Sequence, residues 1–349
     1  MHRREFLAAS VGGLVAGTLV ALAAPASSAD DDRARTDKPR TDKPHADDEL
    51  ASADDPRADD ENARRYDKER QFAQTSFGRI AHIDRGTGPA ALFLHGFPLN
   101  SFQWRGAIDR LSAHRRCLAP DSMGLGYTEV AAGQSVTPAA QADMLAAFLD
   151  KLSVRDVDLI ANDSGGAIAQ LFVTRYPQRV RSLLLTNCDV ETDSPPQALQ
   201  PILDVARAGV FPDLWLDPWL NHKDVARSPK GLGGMCYSNP AHPTDAALDQ
   251  YLAPLVASPE RKALVNRYVL GLTPNPLAGI GPLLKKCSVP TRVVWGMSDT
   301  IFSTGSPDYL AALLPQFRGI RRIKAGKLFF PEEYPDIIAA EARLLWDRA

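Results

Sequence analysis

The chain has 349 residues, 44% hydrophobic and 23% charged, with a formal net charge of -2. Such a balance provides none of the basic footprint that nucleic-acid binding requires. The four cysteines, Cys117, Cys188, Cys236 and Cys287, form no C-x-x-C pair, which excludes a disulfide-dense mini-fold and a cysteine-rich zinc site.

Taken in chain order, Met1 to Ala29 reads as an export signal. Arg3 and Arg4 precede Glu5-Phe6-Leu7, a Gly- and Ala-rich apolar run extends to Ala24, and Ser27-Ser28-Ala29 offers small residues for cleavage. The R-R-E-F-L run resembles a twin-arginine (Tat) signal, which predicts an exported protein that meets the membrane only in transit. An uncleaved anchor is the competing reading, since the run is almost long enough to span. Asp30 to about Arg70 holds 15 acidic and 10 basic residues, with Leu50 its one aliphatic residue larger than alanine. That composition predicts a disordered, solvated tether and a folded domain over 71–349.

From Phe77 onward, short β-type runs alternate with helical patterns. Strands are predicted over Gly78–Asp84 and Ala90–Leu94 on either side of the turn Arg85-Gly86-Thr87-Gly88, then over Arg116–Pro120, Asp156–Ala161, Val180–Asn187, Thr291–Trp295 and Ile320–Lys324. Helices are predicted around Phe102–Ala113, from Thr137 to about Leu152, over Gly165–Tyr176, and near Pro307–Leu314 and Pro331–Trp346. The alternation predicts an α/β fold, a mostly parallel, doubly wound sheet with helices on both faces. From Val190 to about Gly281 the rhythm gives way to a Pro- and Trp-rich, helix-like stretch. It is expected to sit over the strand ends as a lid, with a plain structural excursion as the alternative.

The stretch from Asp158 to Ala169 carries the chemistry. A buried strand runs straight into a helix through Asn162-Asp163-Ser164-Gly165-Gly166. A sharp strand-to-helix elbow needs small residues two before and two after its tip. Centring on Asp163 places Ala161 and Gly165 there, whereas centring on Ser164 places Asn162 and Gly166. Asp also tolerates positive φ better than most side chains. Asp163 is therefore the predicted tip, with a simple helix N-cap as the competing role.

Three stretches resemble the α/β-hydrolase fold, specifically its haloalkane dehalogenase and epoxide hydrolase branch. They are His95-Gly96-Phe97-Pro98 followed by Ser101-Phe102-Gln103-Trp104-Arg105, the Asp163 elbow, and Val294-Trp295-Gly296-Met297-Ser298-Asp299. The resemblance implies the α/β-hydrolase fold with a helical cap and a carboxylate nucleophile, Asp163, that forms an ester with a small, largely apolar substrate. It also implies an oxyanion site at the N–H groups of Phe97 and Ser164, with His95 and Trp104 in the surrounding loop. Asp299 or Asp189 would be the acid that orients a water-activating histidine.

That histidine is missing. The family's G-H-x-x-x-E-x-x-P stretch corresponds to Gly326–Pro335, which puts Leu328 at its place, or Lys327 if shifted by one. His222 and His242, in the insertion, are the candidate replacements; His82, His95 and His114 suit structural roles. The usual halide donors are also replaced, by Ser164 after the nucleophile and Phe97 in H-G-x-P. Tyr237, Tyr251 and Tyr268 are available to polarise an epoxide oxygen. A hydrolase with an atypical water activator leads, followed by a non-hydrolytic enzyme using Asp163 as general acid/base, and then by a ligand-binding protein without turnover. No metal or organic cofactor is implied, because neither an H-E-x-x-H run, a Walker loop nor a dinucleotide fingerprint is present.

Overall fold

The computed structural model describes residues 56–131 and 133–347. The expected signal over Met1–Ala29 and most of the tether lie outside them. Among the described residues no helix is long and apolar enough to cross a membrane.

A nine-stranded sheet forms the centre: β1 (Gln71–Thr75), β2 (Gly78–Arg85), β3 (Ala90–Leu94), β4 (Arg116–Pro120), β5 (Glu129–Val130), β6 (Val157–Asp163), β7 (Val180–Cys188), β8 (Thr291–Gly296) and β9 (Phe317–Ile323). The spatial order is β1-β2-β4-β3-β6-β7-β8-β9, with β5 on β2. Pairing is antiparallel at the β1-β2-β4 end and parallel from β4 through β9. Every residue of β3, β6 and β8 is buried, which is why these strands are mostly apolar, with Asp158 and Arg292 held in ion pairs. β2 and β3 are not neighbours across their turn, because β4 inserts between them. The hairpin that holds His82 is β1–β2, and β1 escaped prediction because its exposed edge is polar.

The helices obey local rules. The helix Pro138–Lys151 starts where Thr137 accepts a hydrogen bond from the Ala140 N–H, and the helix Ser164–Arg175 follows β6 with no loop between. The expected C-terminal helix is split at Tyr334 into Phe330–Glu333 and Pro335–Trp346. Between Val190 and Gly281 the structure is helical, with only an isolated bridge, Val190 to Asp193.

The tether does not extend to Arg70. Pro56–Glu69 forms a helix docked on the domain, in which Tyr66 is fully buried and edge-on to Phe102, with ring centroids 5.0 Å apart. Its Asp59 accepts hydrogen bonds from buried Arg105 at 2.7 and 2.8 Å. Composition missed this helix because its buried anchors are chiefly one aromatic ring and one ion pair, joined by further ion pairs nearer the surface. The domain thus starts by Pro56, earlier than the expected Gln71.

Candidate active site

Three adjacent strands end together. The register Leu94 to Ala161 and Asp163 to Cys188 brings the loop after β3, the tip of β6 and the residue after β7 to one edge of the sheet. Asp163 stands at φ 54°, ψ -132°, a strained position for any L residue with a side chain. Its neighbours make the bend possible. A Cβ on Gly165 would lie 2.6 Å from the carbonyl oxygens of Leu94 and His95, and one on Gly96 would lie 2.8 Å from Asp163 Oδ2. The side chain makes no N-capping bond to the helix that follows and instead accepts the Phe97 N–H at 2.6 Å. The neighbouring Ser164 N–H favours its charged form.

Asp163 lines a cavity of about 730 Å³ of atom-free space, mouth included, closed above by the cap. The cap supplies Phe211, Trp215, Trp219 and Met235, while Phe97, Ser164, Asp189 and Leu328 complete the floor. The sequence marked this segment as rich in Trp but did not reveal which rings face inward. Among the described residues lining this cavity there is no Lys, Arg or His. Burial, and next the charge of Asp189, push the Asp163 carboxyl up to about 8 against the opposing pull of its two N–H donors. Asp189 is pushed up to about 7 by burial and by nearby Asp193, a rise tempered by the Ser194 hydroxyl that it accepts at 2.7 Å.

The remaining site candidates fall outside the cavity. Asp299 is buried, with one oxygen accepting from Asn187 Nδ2 at 2.8 Å and the other from the Ile301 N–H at 2.9 Å. His95 does not face substrate space. Its Nε2 accepts the Ser122 N–H at 2.9 Å, so Nδ1 carries the proton and donates to the Gly96 carbonyl at 2.9 Å. This neutral ring braces the loop, and its burial disfavours protonation. Trp104 corrects the expectation more sharply: it is fully buried against Phe93 and does not line the cavity. The 3₁₀ turn over Ser101–Trp104 places its indole in the core.

Leu328 lines the cavity, whereas Lys327 turns its ammonium to the Gly234 carbonyl at 2.7 Å. Leu328 therefore holds the position next to Asp163, fixed by the Asn162 amide, which donates to the Leu328 carbonyl at 3.0 Å. Neither lid histidine replaces a base: His222 is exposed, and His242 stacks on Tyr237 at 5.5 Å outside the lining. Tyr237 donates to Glu332 at 2.6 Å and Tyr251 lies 3.3 Å from Arg105. Tyr268 alone of the three reaches the elbow, donating to Ser164 Oγ at 3.0 Å and stacking on Phe97. Among the described residues no group of three or more metal-ligating side chains occurs.

The alpha/beta hydrolase fold family model matches residues 89–217. Haloalkane dehalogenase 2 of Mycobacterium tuberculosis is 25% identical over 302 residues, which span 79% of this chain and 94% of that one. A haloalkane dehalogenase of Mesorhizobium japonicum is 40% identical over 111 residues, 30% of this chain and 34% of the relative. The crystal structure of the haloalkane dehalogenase DatA from Agrobacterium tumefaciens superposes with a TM-score of 0.64 at 20% identity, covering 80% of this chain and 97% of that one. The sheet, elbow and cap are those of the α/β-hydrolase fold. Within that fold the chain is similar to haloalkane dehalogenases.

Proposed function

We propose that the protein is an aspartate-nucleophile hydrolase acting on a small, apolar electrophile through an ester on Asp163. The observation that carries this reading is the Asp163 carboxylate, strained at positive φ in the apolar cavity with an oxygen 2.6 Å from the Phe97 N–H. The same N–H, with that of Ser164, suits the oxyanion formed when water attacks the ester. An oxygen leaving group, as in an epoxide or ester-like ring, fits better than a halide. Ser164, bonded to the Tyr268 hydroxyl, offers an O–H donor where a halide-binding indole would otherwise stand. Export as a Tat-type substrate is proposed on the sequence of Met1–Ala29 alone.

Intact-mass analysis after incubation with styrene oxide or butyl bromide tests the reading. A mass increase of one styrene oxide, or of one butyl group with bromide released, mapped to Asp163, is expected during turnover; product formed with no adduct at any time would defeat it. Leu328→His should speed breakdown of that ester by about 10- to 100-fold, since a general base contributes roughly 10² to 10⁴ in rate. Quench-flow decay of the adduct measures the effect.

A second reading rests on the rise of the Asp163 carboxyl to about 8. At neutral pH the protonated group would act as a general acid and open a strained ring without forming an ester. The pH profile separates the two: nucleophilic attack rises as pH passes through about 8, and acid catalysis falls.

A further inference from the structure

The geometry points to Asp189 as the base that activates water in the second half-reaction, a part that the replacement of histidine by Leu328 leaves vacant. The inference rests on Asp163 forming an ester. Among the described residues lining the cavity, the titratable side chains are Asp163, Asp189 and Cys236. Asp163 is consumed by the ester. Burial pushes the Cys236 thiol well up, so it offers no thiolate. Asp299 is excluded, being outside the lining with both oxygens engaged. Asp189 remains, following β7 directly beside the elbow, with one oxygen on the Ser194 hydroxyl and its carboxyl bordering the same cavity as Asp163.

The order of events favours this role. In the resting site two buried carboxylates face one dry space, and they resist ionising together. Esterification neutralises Asp163 and removes its repulsion. The ionisable groups that Asp189 then faces are Asp193, Cys188 and Tyr268, none of them cationic. Asp189 takes a proton from water as the water oxygen bonds to Cγ of Asp163, and the Phe97 and Ser164 N–H groups hold the resulting oxyanion. The bond from Cγ to the ester oxygen that Asp163 itself contributed then breaks, and the alkoxide leaving with that oxygen takes the proton from Asp189. The alcohol departs, and Asp163 is left as a carboxylic acid carrying one oxygen from water. Asp189 begins and ends as a carboxylate.

Pre-steady-state intact-mass kinetics with styrene oxide on wild type, Asp189→Asn and Asp163→Asn test the assignment. Asp189→Asn should alkylate Asp163 at least as fast as wild type, because the charge that disfavours the Asp163 carboxylate is gone, but lose about 100-fold or more in ester hydrolysis, so that the adduct approaches one per chain. Wild-type ester hydrolysis should rise with one ionisation near neutral pH, and the variant should lack it. If Asp189→Asn hydrolyses its ester at the wild-type rate, the assignment fails while the nucleophile stands. Equal loss of alkylation and hydrolysis in a folded variant also overturns it, since that is the mark of a structural role. Turnover that survives in Asp163→Asn, or a wild type that neither reacts nor turns over, removes the nucleophile reading and this one with it.

Discussion

Asp163→Asn is expected to abolish ester formation, lowering turnover by on the order of 10³-fold or more, and at the same time to stabilise the protein at alkaline pH. An amide cannot attack carbon as a carboxylate does, yet it keeps an oxygen to accept the Phe97 N–H. The gain in stability follows from linkage. The carboxyl has its ordinary value of 3.8 when unfolded and about 8 when folded. Below 3.8 both states hold the proton and the group is neutral in its effect. Between those values the unfolded chain has released it and the folded one has not, so the unfolded state binds fewer protons and stability falls as pH rises. Above about 8 the loss is complete. The variant lacks this loss, so its advantage should be absent near pH 4, grow through neutrality and level off above 8. Each unit of displacement is worth about 1.4 kcal/mol, giving a gain of up to about 6 kcal/mol. Urea denaturation of both proteins at several pH values measures it. Equal stability at alkaline pH would mean that the carboxylate is well solvated, a poor fit to a sheltered nucleophile.

The second large effect is structural. Asp59→Ala should destabilise the protein by about 3–5 kcal/mol, because it leaves the guanidinium of Arg105 buried with half its partners gone. Arg105 is 5% exposed and sits between Asp59 on the N-terminal helix and Glu332, whose Oε1 it meets at 2.7 Å. Glu332 in turn accepts the Tyr237 hydroxyl, and the Thr244 hydroxyl donates to Asp59 at 2.9 Å. One buried cluster thereby joins the leading helix, the oxyanion loop's helix, the cap and the turn that follows Leu328. The half-exposed Asp109, which pairs with Arg65 and Arg85, serves as the control; its replacement by alanine should cost about 1 kcal/mol or less. Thermal melts of the two variants compare them directly. Similar small losses in both would mean that Pro56–Glu69 contributes little to the fold.

Much of the site is legible before any coordinates. The elbow is readable because its requirements are local: a strand too apolar to be anything but buried, a tip residue tolerant of positive φ, and glycines where the backbones of β3 and β6 approach. The loss of the histidine is legible too, since it concerns the identity of one residue in a recognisable stretch. Trp104 shows the limit of such reading. Its adjacency to the oxyanion loop suggested a place beside substrate, but a 3₁₀ turn over Ser101–Trp104 rotates the indole into the core. The edge strand β1 and the helix before it were hidden for a related reason. Their composition is polar because most of each surface faces solvent, and a single buried tyrosine or ion pair leaves no periodic trace.

Local chemistry in the chain therefore specified the alternating strands and helices, the strained bend at Asp163 and the leucine at position 328. Tertiary packing alone chose Asp189 over Asp299 as the second acid of the cavity, Tyr268 over two other tyrosines as the partner of Ser164, and Pro56–Glu69 as part of the fold. Those choices depend on which strand ends lie side by side and on how the cap rotates its rings inward. They arise from contacts between residues far apart in the chain, and no spacing or periodicity along it encodes such distances.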